Sequence, residues 1–142
     1  MVIAVDFDGT IVTHEYPKIG KELPFATETL KMLIKQQHQV ILWSVREREL
    51  LDEAVEWCRA RGVEFYAVNS DYPEETGKSN DYSRKLKADL FIDDRNVGGL
   101  PDWGTIYQMI TEGKSYEQTL RERMKSSIYD KQPKKRPWWK FF

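Results

Sequence analysis

A four-residue apolar run, Val2-Ile3-Ala4-Val5, breaks off at Asp6-Phe7-Asp8-Gly9-Thr10. Four residues are too few for a helix, so the run reads as a buried strand that opens into a glycine-containing turn. Such a strand delivers two carboxylates, Asp6 and Asp8, at its C-terminal tip. On an extended chain residues two apart leave on the same side, so the two acids share a face.

The same grammar recurs along the chain. After a mostly polar segment from Ile11 to Leu23, Pro24 opens a helical pattern with Ala26, Leu30, Leu33 and Ile34 on one face, expected to end near Gln37. Val40-Ile41-Leu42-Trp43 reads as a second buried strand and Ser44 begins a loop. Leu50, Leu51, Ala54, Val55 and Cys58 then mark an amphipathic helix stopped by Gly62. Glu64 to Val68 is the third strand expected, and Leu90-Phe91-Ile92 the fourth, running straight into Asp93-Asp94. Asp102 is placed to cap a helix through Ile110, and Ser115 with Gln118 three positions on forms a capping-box pattern for a last helix. Strands alternating with helices argue for a parallel sheet wrapped by helices.

Composition narrows the chemistry. With 142 residues the chain has the length of one domain, and 22 basic against 23 acidic side chains leave a formal charge of −1, which implies no strongly charged polymer as partner. No apolar run approaches the roughly 20 residues of a membrane helix, and no leader pattern opens the chain, so a cytoplasmic protein without membrane contact is expected. Cys58 has no second cysteine to pair with, and with only His14 and His38 it cannot build a zinc cage. Any metal must therefore be held by oxygen. Cys58 itself falls on the apolar stripe with Ala54 and Val55 and reads as a buried, inert thiol.

In an open parallel sheet, ligands collect beyond the carboxyl ends of the strands. At those ends stand Asp6 and Asp8, Ser44, and Asp93 with Asp94, while Lys85 lies just before the fourth strand. Taken singly, each acid is an ordinary turn residue or cap, and Ser44 alone would cap the helix beginning near Glu47. Together, four crowded carboxylates stay ionised only with a cation among them, and oxygen-only ligation points to Mg²⁺.

Asp6-Phe7-Asp8-Gly9-Thr10 after an apolar strand, Ser44 after the second, Lys85, and Asp93-Asp94 resemble, in order, the four motifs of the haloacid dehalogenase superfamily; the match spans Val2 to about Asn96. The resemblance implies a single doubly wound (Rossmann-like) α/β domain with a parallel sheet of four or five strands and core order 3-2-1-4. It implies a Mg²⁺-dependent phosphatase that hydrolyses a phosphomonoester through an aspartyl-phosphate. Asp6 is then the nucleophile and Asp8 the general acid and base. Asp6, Asp93, Asp94 and the backbone carbonyl of Asp8 would hold Mg²⁺. Ser44 and Lys85 would bind and stabilise the phosphoryl group, with Gly9, Thr10, Arg46 and His14 as further phosphate or substrate contacts. Lys78 and Lys87 are rivals for the role of Lys85.

Members of that superfamily commonly carry a cap domain. Neither Ile11–Leu23 nor Asn69–Tyr82 has room for one, so an uncapped, open site is expected. His14, Glu15, Tyr16 and Lys18 on the first of these segments are candidates for substrate contact, beside the plainer reading of a polar loop. Gly77-Lys78-Ser79 lacks the first glycine of a phosphate-binding P-loop, Tyr72 standing there instead.

The catalytic domain is expected to span 1–124. From Lys125 onward six cationic residues face Asp130 alone, and Lys134 to Phe142 mixes cations with aromatics. Single-stranded nucleic-acid binders share that composition, but docking on the acidic body, or a homo-oligomeric contact through the tail, is the preferred reading. Two other functions are weighed against the phosphatase. A receiver-like phosphoacceptor would place its acceptor after the third strand and have adjacent early acids, and a non-catalytic phosphate-binding module would tolerate a broken motif set. The substrate is a phosphorylated compound whose leaving group the motifs do not disclose.

Overall fold

Four short strands carry the architecture: β1 (Val2–Val5), β2 (Gln39–Leu42), β3 (Ala67–Val68) and β4 (Leu90–Ile92). The computed structural model describes residues 1–75 and 84–131. β1 lies centrally in a parallel sheet of order β3-β2-β1-β4, with Val2 opposite Gln39 and Ile3 opposite Leu90. This is the expected doubly wound, Rossmann-like order, and helices flank the sheet. Ile3, Val5, Ile41 and Leu42 are wholly buried, which is why these strands read as apolar runs rather than alternating ones. Each such side chain contributes about 1.5–3 kcal/mol.

The third strand is shorter than the Glu64–Val68 expected. Only Ala67 and Val68 pair with β2, opposite Ile41 and Leu42. Like β4 it is an edge strand with one neighbour, but Glu64, being exposed, has no buried face to hold it in the sheet.

Helix α1 (Ala26–Lys35) starts two residues after Pro24, because Phe25 adopts the left-handed region at φ 66°. The first turn is capped from outside the helix: the Thr27 N–H donates to Glu22 Oε1 at 2.9 Å, and the Thr27 hydroxyl donates to the same oxygen. Leu30 and Leu33 are fully buried. Helix α2 (Arg48–Ala60) buries Ala54 and Cys58. It ends as foreseen at Gly62, whose φ of 85° lets the Val63 N–H return to the Cys58 carbonyl. Burial pushes the Cys58 thiol up to about 12, consistent with an inert side chain.

The chain divides into two compact units, one from Met1 to Gly104 and one beginning at Thr105. Helix α3 (Trp103–Glu112) opens in the first with Trp103, whose indole donates to the Thr10 carbonyl at 2.9 Å. In the second, α4 (Tyr116–Lys131) carries the expected capping box: Gln118 N–H donates to Ser115 Oγ, and Ser115 N–H to Gln118 Oε1. The tail boundary read at Lys125 falls inside α4. Residues 134–142 and Lys78 lie outside the described residues. Among those described, no helix is long and apolar enough to cross a membrane.

The segment between β1 and α1 is a flap and not a domain. It is held by bridges from Val12 to Asp8 and to Glu22, and by the Leu23 N–H on the Ile11 carbonyl.

Candidate functional site

The central strand places the acids. Trp43 N–H donates to the Val5 carbonyl and Asp6 N–H to the Ile92 carbonyl, so the tips of β2, β1 and β4 are locked side by side. Asp6, Asp93 and Asp94 each offer a carboxylate oxygen, and these oxygens lie within 4.8 Å of one another. Such a cluster can act as a metal-binding or catalytic site. Burial pushes the Asp6 carboxyl up to about 7, reinforced by its hydrogen-bonded neighbour Asp94 and by the charges of Asp93 and Asp94, while the Phe7 N–H works in the opposite direction.

Thr10 and Gly9 assemble that cluster. The buried Thr10 hydroxyl lies 3.2 Å from Asp6 Oδ2 and 3.3 Å from Asp94 Oδ1, and it accepts the Asp94 N–H at 3.0 Å. It braces two acids from different strands. Gly9 has φ 84°, and a Cβ there would sit 2.3 Å from Asp94 Oδ2, so the close approach of Asp94 requires glycine. The Gly9 N–H donates to the Val12 carbonyl. Both residues shape the acid cluster, and neither lines the cavity beside it.

That cavity measures about 440 Å³, within the ~300–1,000 Å³ of small-molecule sites. Asp6, Asp8, Asp93 and Ser44 form its polar part; Tyr16, Trp43 and Val45 form apolar wall, and His14 and Arg95 line it too. Ser44 is positioned by Asn69, whose Oδ1 accepts the Ser44 N–H at 2.8 Å. Ser44 Oγ accepts the Arg46 N–H at 3.1 Å, and the cap of α2 is Glu47, so Ser44 closes its own turn instead of capping the helix.

Arg46 is the least surface-like residue of the site. It is fully buried, and its five N–H groups have five acceptors. Nε and Nη2 bond the two Asp8 oxygens at 2.7 Å each; Nη2 also reaches the Lys18 carbonyl, and Nη1 the carbonyls of Pro17 and Leu50. Its guanidinium lies 5.2 Å from the ring centroids of both Phe7 and Tyr16. The Asp8 hydrogen bonds raise the Arg46 pKa, so it stays charged. Arg46 faces Asp8 and main-chain carbonyls rather than the open cavity, where a phosphate contact had been expected.

Lys85 is exposed, with its ammonium 5.6 Å from the Phe91 ring centroid, and it does not line the cavity. Lys87 is exposed too, its N–H bonded to Asp71. Among the described residues the cation on the cavity wall is Arg95, which no motif marks although it follows Asp94 at the same strand tip. From sequence, Trp43 reads only as strand core and Asn69 as loop. The signal in Asn69 was its residue type: asparagine tolerates the left-handed turn that it makes here at φ 52°.

No protein-family model matches the chain, and no curated protein does. A solved structure described as that of the conserved protein coded by a locus from Bacteroides thetaiotaomicron is similar to it at 71% identity. The match covers 82% of this chain and 94% of that one, with a TM-score of 0.79.

Proposed function

The chain belongs to the family of that conserved Bacteroides thetaiotaomicron protein, and from the geometry of its acid cluster we propose that it is a Mg²⁺-dependent phosphatase of the haloacid dehalogenase type, hydrolysing a phosphomonoester through an aspartyl-phosphate. One observation carries the reading: Asp6, Asp93 and Asp94 converge from two adjacent strand tips with oxygens within 4.8 Å, and Asp6 and Asp93 open on a cavity that Asp8 and Ser44 also line. The donor set suits Mg²⁺, since it is made of hard carboxylate oxygens without imidazole or thiolate. Burial does most to raise the Asp6 carboxyl, and Asp94 and Asp93 add a repulsion that a bound cation would offset.

Asp6 and Asp93 would hold Mg²⁺, together with Asp94 and the Asp8 carbonyl. Bound there, the ion would offset the charge of the phosphoryl oxygens. An Asp6 oxygen attacks phosphorus, forming the acyl-phosphate bond as the ester P–O bond breaks, and Asp8, ion-paired at rest, takes up a solvent proton at the cavity edge and passes it to the departing oxygen. Water then attacks the same phosphorus, giving its proton back to Asp8, and orthophosphate leaves with Asp6 restored. Arg46 occupies one lone pair on each Asp8 oxygen, and the second lone pair on each serves the proton in transit. The Ser44 hydroxyl and the Arg95 guanidinium bind phosphoryl oxygens. The test is hydrolysis of an aryl phosphate with Mg²⁺. Asp6→Asn is expected to abolish turnover and keep the fold by circular dichroism; turnover surviving in that variant refutes the nucleophile.

A further inference from the structure

A phosphoryl group fills only part of the cavity, and the rest of its wall is apolar and aromatic. Tyr16 and Val45 line it while 45% and 77% exposed, an arrangement that leaves apolar surface in water beside a highly polar floor. The Tyr16 ring is also held before any ligand arrives. It stacks on the Arg46 guanidinium at 5.2 Å, and Arg46 is itself fixed by Asp8 and by three backbone carbonyls. Trp43 is anchored on its other side, where it packs against the core cluster of Ala4, Ile41, Ala67 and Leu86. Two aromatic rings on rigid supports are suited to stacking a planar group, because little ordering entropy is lost on contact.

From these observations we infer that the leaving group carries a planar aromatic base, and that the substrate is a nucleoside phosphomonoester whose base rests on Tyr16 and Trp43. The inference depends on reading the acid cluster as the phosphoryl site. An aliphatic sugar phosphate would leave both rings uncovered, whereas a base covers them and leaves Arg95 and Ser44 to the phosphate. The chemistry is shared by a free nucleotide and by the phosphorylated end of a nucleic acid.

The experiment measures equilibrium binding to full-length Asp6→Asn protein with Mg²⁺, using adenosine 5′-monophosphate, ribose 5-phosphate and a short 5′-phosphorylated single-stranded oligonucleotide. The first two differ by the base alone. At least one base-bearing ligand is expected to bind about tenfold or more tighter than ribose 5-phosphate. The advantage should fall to near unity on adding Tyr16→Leu or Trp43→Leu and survive in Tyr16→Phe; since Tyr16 is exposed, its variants test the idea without disturbing the core. Preference for the mononucleotide or for the oligonucleotide identifies the source. Equal binding of all three ligands, binding of none, or an advantage that survives both leucine variants overturns the inference. Aryl phosphate hydrolysis by the wild-type chain is scored separately. Its absence with the base preference intact would remove the phosphatase reading and leave the base subsite standing.

Discussion

Arg46→Met tests how the turn after β1 is held. The substitution keeps an unbranched stem between Phe7 and Tyr16 but removes every donor to Asp8, which is only 7% exposed. Breaking a buried ion pair by deleting one partner costs about 3–5 kcal/mol, because the surviving charge is left uncompensated. Asp8 borders the cavity, so water can reach it and the lower end, about 3 kcal/mol, is expected. The orphaned carbonyls of Pro17 and Lys18 belong to exposed flap residues and add little. For a chain of this length that corresponds to a melting temperature roughly 9 °C lower. Urea titration at neutral pH with a chelator present measures it directly. The double variant Asp8→Leu/Arg46→Met separates charge from packing: with both charges gone, it should regain most of the loss. A single variant destabilised by less than about 1 kcal/mol, or a double variant worse than the single, would refute the view that Arg46 compensates a buried carboxylate.

Asp6 makes stability depend on pH in the metal-free protein. Its carboxyl lies near 7 in the fold against an ordinary 3.8, so the fold keeps a proton that the unfolded chain releases. This contribution is complete below about pH 4 and disappears as pH rises through about 7. Thermal denaturation in a chelator should therefore show wild type losing ground to Asp6→Asn between about pH 5 and pH 8, and parallel curves would contradict it. Mg²⁺ should raise the wild-type melting temperature more at the upper end of that range, where it displaces no proton. Gly9→Ala places a methyl against Asp94 at a positive φ, and a loss of about 1–3 kcal/mol with weakened Mg²⁺ binding by calorimetry is expected. Arg95→Ala should lower kcat/KM for an aryl phosphate about a hundredfold and Lys85→Ala less than tenfold; the reverse ranking would return the phosphoryl cation to Lys85.

What the chain discloses by itself follows from burial. The runs 2–5 and 40–42 are apolar because both faces of an inner parallel strand are covered, the edge strand at 90–92 is apolar though only Ile92 is fully buried, and an apolar run that gives way to a polar residue marks a strand tip. Asp6, Ser44 and Asp93 were legible for that reason. The pairing of Arg46 with Asp8 was not, although Arg46 itself stood among the phosphate contacts: an arginine in a loop followed by Glu47 and Arg48 has the composition of a solvated turn, and Asp8 stands 38 positions earlier. Nor do Gly9 and Thr10 announce, in a motif that suggests phosphate contact, that their work is to seat Asp94. Edge strand β3 is shorter than its sequence suggests because propensity does not say which residues of a run will be buried, and Glu64 is exposed.

The buried pair of Arg46 and Asp8 raises a physical question that packing alone does not answer. An apolar pair of similar volume would fill the space with a smaller desolvation cost, and buried ion pairs are weak evidence for stability. What an apolar pair lacks is direction. The guanidinium fork makes five hydrogen bonds, and they join the turn after β1, the flap carbonyls of Pro17 and Lys18, and Leu50 in α2. One side chain thereby fixes Asp8 at the cavity edge, holds the flap against the sheet tip and backs the Tyr16 ring. If Asp8 moves a proton while Tyr16 carries the leaving group, both must keep their distance from Asp6, and a single rigid group bonded to one and stacked on the other supplies that constraint. Stability lost in Arg46→Met should then be accompanied by a lower kcat in the molecules that remain folded, whereas a purely structural arginine would leave kcat per folded molecule unchanged.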